Sequence, residues 1–243
     1  MPTDATPEHT PDTPDTPGSD VPVVHLYVLL DRSGSMASIA DDVIGGFNRL
    51  LSDQQADGPA ARMTLVQFDT EDPHEVVADA IPVREMTPLD ASTFVPRGGT
   101  PLLDATGLLL TRATQRAQQL ASDSEPAEEI VVVSVTDGHE NASRERSLRA
   151  VRRMVDEHTR DGWTFVFLSA ALNVYGEAGG LGYDGRSSQA FAASPMGVST
   201  AFQSVSASTR SHRGKVRRRE QFDKGDFFEG DKPAEDLRDG DEA

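Results

Sequence analysis

Three stretches of this chain are apolar over the full length of a strand. They are Val23 to Leu30, Ile130 to Val135 and Trp163 to Leu168, each interrupted by a single polar residue, His25, Ser134 and Thr164. Strands with one wet face alternate polar and apolar residues, and these do not. Such runs are buried on both faces, as in a parallel sheet covered by helices. Between them lie segments of helical period. Residues 39–53 place Ile39, Val43, Ile44, Phe47, Leu50 and Leu51 on one face, with Asp41 and Asp42 in the first turn. Strands alternating with helices predict a doubly wound α/β fold: about six mostly parallel strands with helices on both faces.

The first strand is expected over about 22–30 and the second over Met63–Phe68. A third, Val76–Val83, is moved to the sheet edge by Pro82. The short turn Asp69–His74 makes that edge strand antiparallel. Residues 84–99 form a long loop, and a loop of this length in a compact domain usually has a function. Thr100-Pro101 reads as an N-cap with Pro at the first helical position, opening a helix over about 101–121. A strand over 129–135 leads to a helix over about 144–160 that buries Leu148, Val151, Met154 and Val155. After the 163–168 strand come a short helix near 173–180, a last strand near 187–192, and Ser194-Pro195 opening the final helix. The folded domain is expected to span 21–213. Residues 1–20, rich in Thr, Pro and Asp, read as a disordered leader, and 214–243 as a mostly disordered tail, basic then acidic.

The chain carries a net charge of −17 and no cysteine, so thiolate metal sites and disulfides are excluded. Residues 210–219 hold six bases and no acid, and their expected fate is neutralisation within the chain. The strongly acidic remainder argues against a nucleic-acid binder. No run reaches the roughly 18 apolar residues of a membrane helix, and no secretory leader is visible, so the expectation is a cytoplasmic protein.

The first apolar run ends in Asp31-Arg32-Ser33-Gly34-Ser35. This places three oxygen-bearing side chains on a strand-to-helix loop, with Gly34 allowing a tight turn. Alternating hard oxygen donors suit a hard divalent cation. The pattern resembles the first motif of the metal-ion-dependent adhesion site of von Willebrand factor A domains. Gly98-Gly99-Thr100-Pro101-Leu102 is similar to that family's threonine motif, and Thr136-Asp137-Gly138 to its aspartate motif. The resemblance covers roughly residues 22–210 and follows the family's order. It implies metal coordination by Asp31, Ser33, Ser35, Thr100 and Asp137, with Mg²⁺ or Mn²⁺ bound and Ca²⁺ compatible. It also implies capture of an Asp or Glu from a partner protein rather than catalysis. Stand-alone bacterial members of the family often work beside ATPase chaperones or in stress-related operons, so the resemblance implies a chaperone of that kind as a candidate partner.

The alternative is a metal-dependent hydrolase, with Asp31 or Asp137 activating a water and His139 as acid or base. His139 and Glu140 otherwise read as a solvated rim loop, and His25 as a satisfied core histidine. Gly180-Leu181-Gly182-Tyr183-Asp184-Gly185 fits a dinucleotide pattern literally, but it neither follows a strand directly nor opens a clear helix. The Asn141-Ala142-Ser143 sequon has no secretory context.

Overall fold

The computed structural model describes residues 21–241, with side chains through Arg238. The expected leader, 1–20, lies outside these residues. Six strands form one sheet: β1 (Val24–Asp31), β2 (Ala61–Phe68), β3 (Glu75–Pro82), β4 (Glu129–Thr136), β5 (Thr164–Ser169) and β6 (Ser188–Ala190). Their spatial order is β3-β2-β1-β4-β5-β6. All pairings are parallel except β2 with β3, so the edge hairpin is antiparallel, as expected.

Burial alternates along β1 between two apolar clusters. Val24, Leu26, Val28 and Leu30 face one, and Tyr27 and Leu29 face the other. This is why the run lacks polar alternation: each face meets a helical layer. One layer holds α1 (Ala40–Ala56) and α5 (Pro195–Arg217). The other holds α2 (Leu102–Ser122), α3 (Leu148–Arg160) and α4 (Val174–Leu181). Ser194 caps α5 by accepting from the Gly197 N–H, with Pro195 at its first position, as the sequence predicts.

Several boundaries differ from the sequence reading. A 3₁₀ turn over Gly34–Ile39 precedes α1, and α3 starts at Leu148, where Ser147 accepts from the Ala150 N–H. Leu148, expected in the core, is 47% exposed as the first residue of α3. Gly180 lies in the last turn of α4, and Gly182 ends the helix at φ +93° as its left-handed cap. The dinucleotide-like string is therefore a helix stop.

The C-terminal stretch also departs from expectation. Residues 214–217 complete α5, and the chain then packs back through Phe227 and Phe228, both buried, to α6 (Pro233–Asp241). His212 meets Phe222 edge-on, and the Ser187 hydroxyl accepts from the Phe227 N–H. Burying each phenyl ring contributes about 1.5–3 kcal/mol against the entropy cost of ordering this glycine-rich acidic segment. The basic stretch is neutralised within the chain, with Arg213 and Arg217 on Asp57, Lys215 on Glu229 and Arg218 on Glu220. No described helix is long and apolar enough to cross a membrane.

Candidate metal centre

Asp31 ends β1, and Asp137 directly follows β4, its neighbour. The connections leave in opposite directions at this pair, so both carboxylates stand at the topological switch point, where open α/β sheets hold ligands. Asp31 is 0% exposed. Its Oδ1 accepts from the Ser33 N–H at 2.7 Å, and its Oδ2 from the Thr136 hydroxyl at 2.5 Å. Asp137 is half-buried and accepts from the exposed Ser35 hydroxyl at 2.7 Å. Ser33 Oγ lies 3.1 Å from Ser35 Oγ. A methyl group added to Gly138 would sit 3.6 Å from both Ser35 Oγ and Thr100 Oγ1, which puts the threonine beside the same group. The structure thus brings all five sequence-predicted residues to one rim, graded from buried Asp31 to exposed Ser35.

Burial pushes the Asp31 carboxyl up to about 6 despite its hydrogen bonds from Thr136 and Ser33, and the Asp137 charge adds to the rise. Burial also raises Asp137, against the Ser35 hydrogen bond. Among the described residues no Arg, Lys or His pairs with either acid. A cluster of three or more His, Cys, Asp or Glu side chains fit for a metal is likewise absent among them. The donor set is two carboxylates and three hydroxyls, all hard oxygens. Neighbouring ligands of an octahedral Mg²⁺ at about 2.1 Å lie about 3 Å apart. The 3.1 Å between Ser33 and Ser35 and the 2.7 Å between Ser35 and Asp137 bracket that value. The residues fit a hard divalent cation.

Backbone bonds hold the loops together. The Arg97 N–H donates to Arg32 O at 2.8 Å, and the Gly34 N–H to Gly98 O at 3.0 Å. A Cβ on Gly34 would lie 3.3 Å from that same carbonyl, so the glycine permits close approach of the two loops. Gly98, at φ +65°, makes the turn that Thr100 follows.

Sequence reasoning missed two supports. The buried Arg32 donates to Asp69, Gln67 and Glu75, and Arg97 joins it on Asp69 at 2.9 Å. This network anchors the Asp31–Ser35 loop to the edge hairpin. The second support corrects two expectations. Thr100 does not cap α2, whose N-cap is Pro101 with no side-chain hydrogen bond. Glu140 and Ser143 cap it instead: Glu140 Oε2 and Ser143 Oγ accept from the Leu103 N–H, and Ser143 Oγ also from the Asp104 N–H. Asp104 in turn accepts from the N–H groups of Arg144, Glu145 and Arg146. The positive end of α2 therefore faces Glu140, and the Thr100 hydroxyl is left for the rim. Asn141 Oδ1 accepts from the Thr100 N–H, while His139 pairs with Glu177.

No family model and no curated protein matches the sequence. Among solved structures, the chain is similar to a von Willebrand factor type A protein from Catenulispora acidiphila. The TM-score is 0.51 at 12% identity, over 81% of this chain and 43% of that one. It is also similar to the pilus adhesin SpaC from Lactobacillus rhamnosus GG, with TM-score 0.57 at 13% identity, over 79% of this chain and 30% of that one. The chain spans less than half the length of either. At such identities the likeness is one of fold, and the fold is that of a von Willebrand factor A domain.

Proposed function

We propose that this domain is a non-enzymatic, metal-dependent protein-binding module. Asp31, Ser33, Ser35, Thr100 and Asp137 would hold Mg²⁺ or Mn²⁺ and capture an Asp or Glu carboxylate from a partner protein. The observation that carries the reading is the pair Asp31 and Asp137. Two carboxylates at the switch point share a rim with three hydroxyls and have no cation from the described residues. Isolated buried carboxylates are costly, and a divalent cation removes that cost. When bound, the ion would supply a Lewis-acidic position attractive to an incoming carboxylate. The hydroxyl donors add no charge, so the ion keeps more of its own than it would among four carboxylates. A cytoplasmic setting and an ATPase chaperone as partner belong to the same proposal.

Calorimetry with MnCl₂ and MgCl₂ on the whole chain is the test. The expected result is binding in wild type, none in Asp31→Ala or Asp137→Ala, and a folded circular-dichroism spectrum for all three. Absence of heat in wild type, with a melting temperature indifferent to both Mg²⁺ and EDTA, would overturn the reading. A partner that co-purifies with wild type and not with Asp31→Ala would then identify what is captured.

A further inference from the structure

Residues 86–101 belong to no helix or strand, so the sheet ladder does not fix where Thr100 sits. Asp31, by contrast, ends β1 and is held by its strand. The oxygens of the Asp31–Ser35 loop and of Thr100 therefore meet across a gap that main-chain regularity leaves open. A metal ion is sensitive to such a gap. Mg²⁺ demands near-octahedral geometry, with ligand distances within about 0.2 Å of ideal.

One buried carboxylate spans the gap. Asp69 directly follows β2 and is 0% exposed. Its Oδ2 accepts from Arg32 Nε and from Arg97 Nε, each at 2.9 Å. Arg32 lies between Asp31 and Ser33, and Arg97 lies three residues before Thr100. Asp69 Oδ1 accepts from the Glu71 and Asp72 N–H groups at 2.6 and 3.0 Å, which shapes the turn after β2. That turn presents Thr70, whose Oγ1 accepts from the Gly99 N–H at 3.1 Å. Burial pushes the Asp69 carboxyl up, but these four hydrogen bonds to it outweigh burial and hold it below its usual range. Glu71 and Glu75 also approach Arg97, at 3.4 and 3.5 Å, yet both are well exposed, and exposed ion pairs contribute little.

We infer that Asp69 is a positioning residue of the metal site: it sets the spacing of Thr100 from the loop that carries Ser33 and Ser35. That role rests on the metal reading proposed above and deepens it. A carboxylate suits the task because it accepts on both oxygens and donates on neither. Every group that faces it here donates: two guanidinium Nε–H groups and two backbone N–H groups. Asparagine has the same shape but must turn its NH₂ towards one of those pairs. Asp69→Asn therefore loosens either the guanidinium link or the turn that presents Thr70. In both cases the hold on the Thr100 segment weakens.

The test is calorimetry with MnCl₂ on the whole chain, in wild type, Asp69→Asn, Thr100→Val and the double variant. Asp69→Asn is expected to weaken Mn²⁺ binding about tenfold, the lower end of outer-shell effects, because Asp69 reaches Thr100 through Arg97. In the Thr100→Val background the same change is expected to cost about twofold or less, since placing a hydroxyl has no effect once the hydroxyl is gone. Unchanged affinity in Asp69→Asn, or the equal loss in both backgrounds that a merely structural role gives, overturns the inference. Glu128→Gln gives up a buried arginine pair at the opposite end of the sheet and is expected to keep wild-type Mn²⁺ affinity. A loss there as large as in Asp69→Asn would trace to stability and also overturn it. Arg97→Met leaves Asp69 paired with Arg32 and covers the case in which Asp69→Asn does not fold, with the same two ratios expected and the same result against it. Hydrogen exchange in EDTA reads the loops without metal. The Gly34 and Gly99 amides are expected to exchange faster in Asp69→Asn than in wild type, with β1 amides unchanged. Unaltered exchange at both, while wild type still gives Mn²⁺ heat, overturns the role of Asp69 alone. No Mn²⁺ heat in wild type overturns the metal reading itself, and the role falls with it.

Discussion

The two ends of strand β4 treat their acids in opposite ways. At the amino end, Glu128 and Glu129 are both enclosed by cations. Arg116 grips Glu128 through two bonds of 2.6 and 2.8 Å, and His25 Nδ1 lies 2.7 Å away. Glu129 meets Lys224 at 2.5 Å and His212 at 3.2 Å. At the carboxyl end, Asp137 and its neighbour Asp31 have only hydroxyl and amide donors. Burial alone would raise Glu128, but hydrogen bonds from Arg116 and His25 outweigh it and hold the acid down to about 2. Asp31, buried without such partners, goes the other way. The same side-chain chemistry on adjoining strands is structural where the chain supplies the counter-charge. It is left without a counter-charge where the chain withholds one, which is what the proposed metal site requires.

The largest expected effect breaks the structural end. Glu128→Gln leaves Arg116 without its carboxylate, and the displacement of Glu128 from 4.5 to about 2 corresponds to about 3 kcal/mol. Urea unfolding should show that loss, and a change under about 1 kcal/mol would mean the pair is incidental. The pH dependence follows from the sign. An acid held low in the folded state contributes fully above its unfolded value near 4.5 and loses that contribution as pH falls towards 2. Wild-type stability should therefore fall between pH 5 and pH 3 more steeply than that of Glu128→Gln, and parallel slopes would contradict the assignment.

Slightly smaller is the effect that sharpens the unpaired end. Mg²⁺ at about a hundred times its dissociation constant should stabilise wild type by about 2.7 kcal/mol. Asp31→Ala and Asp137→Ala should show no such gain and should keep the fold in EDTA, because both residues stand at strand ends outside the apolar clusters. A Mg²⁺-induced gain retained in Asp31→Ala would place the ion elsewhere.

The end without counter-charges was also the one whose grouping was legible. Asp31, Ser33, Ser35, Thr100 and Asp137 are polar residues within three positions after an apolar run or directly after a glycine, so local sequence marks each of them. Their supports are not marked. Arg32 finds Asp69 and Glu75 only because the edge hairpin folds back beside β1, and a single charge in a loop does not announce a partner some forty residues away. Glu140 reads as solvated loop for the same reason. The C-terminal stretch misled through composition. Glycines and acids dominate its count, yet Phe227 and Phe228, with Lys224 on Glu129, decide its packing. His25 was legible, since a lone polar residue in a doubly buried strand must be satisfied, and Glu128 and Thr64 satisfy it.

The smallest expected effect lies between the two ends, in the loop that carries Asp137 towards α3. Ser143 Oγ accepts from the N–H groups of Leu103 and Asp104 at 3.1 Å each, and donates to Glu140 Oε2 at 2.7 Å. Removing a hydroxyl that caps a helix costs about 1 kcal/mol. Glu140 still accepts from the Leu103 N–H at 2.8 Å, so only the Asp104 N–H loses its sole side-chain acceptor in Ser143→Ala. Stability should drop by about that amount. The loop also bears Asn141, whose Oδ1 accepts from the Thr100 N–H at 2.9 Å. A looser loop therefore loosens Thr100, one of the five rim residues. Ser143→Ala should weaken Mn²⁺ binding by about a few-fold, below the 10–100-fold typical of direct outer-shell substitutions, because Ser143 acts one contact further out. Calorimetry on a variant with an otherwise wild-type fold reads this directly. If stability falls and Mn²⁺ affinity stays unchanged, the capping loop serves the helix alone, and the rim does not depend on what caps α2.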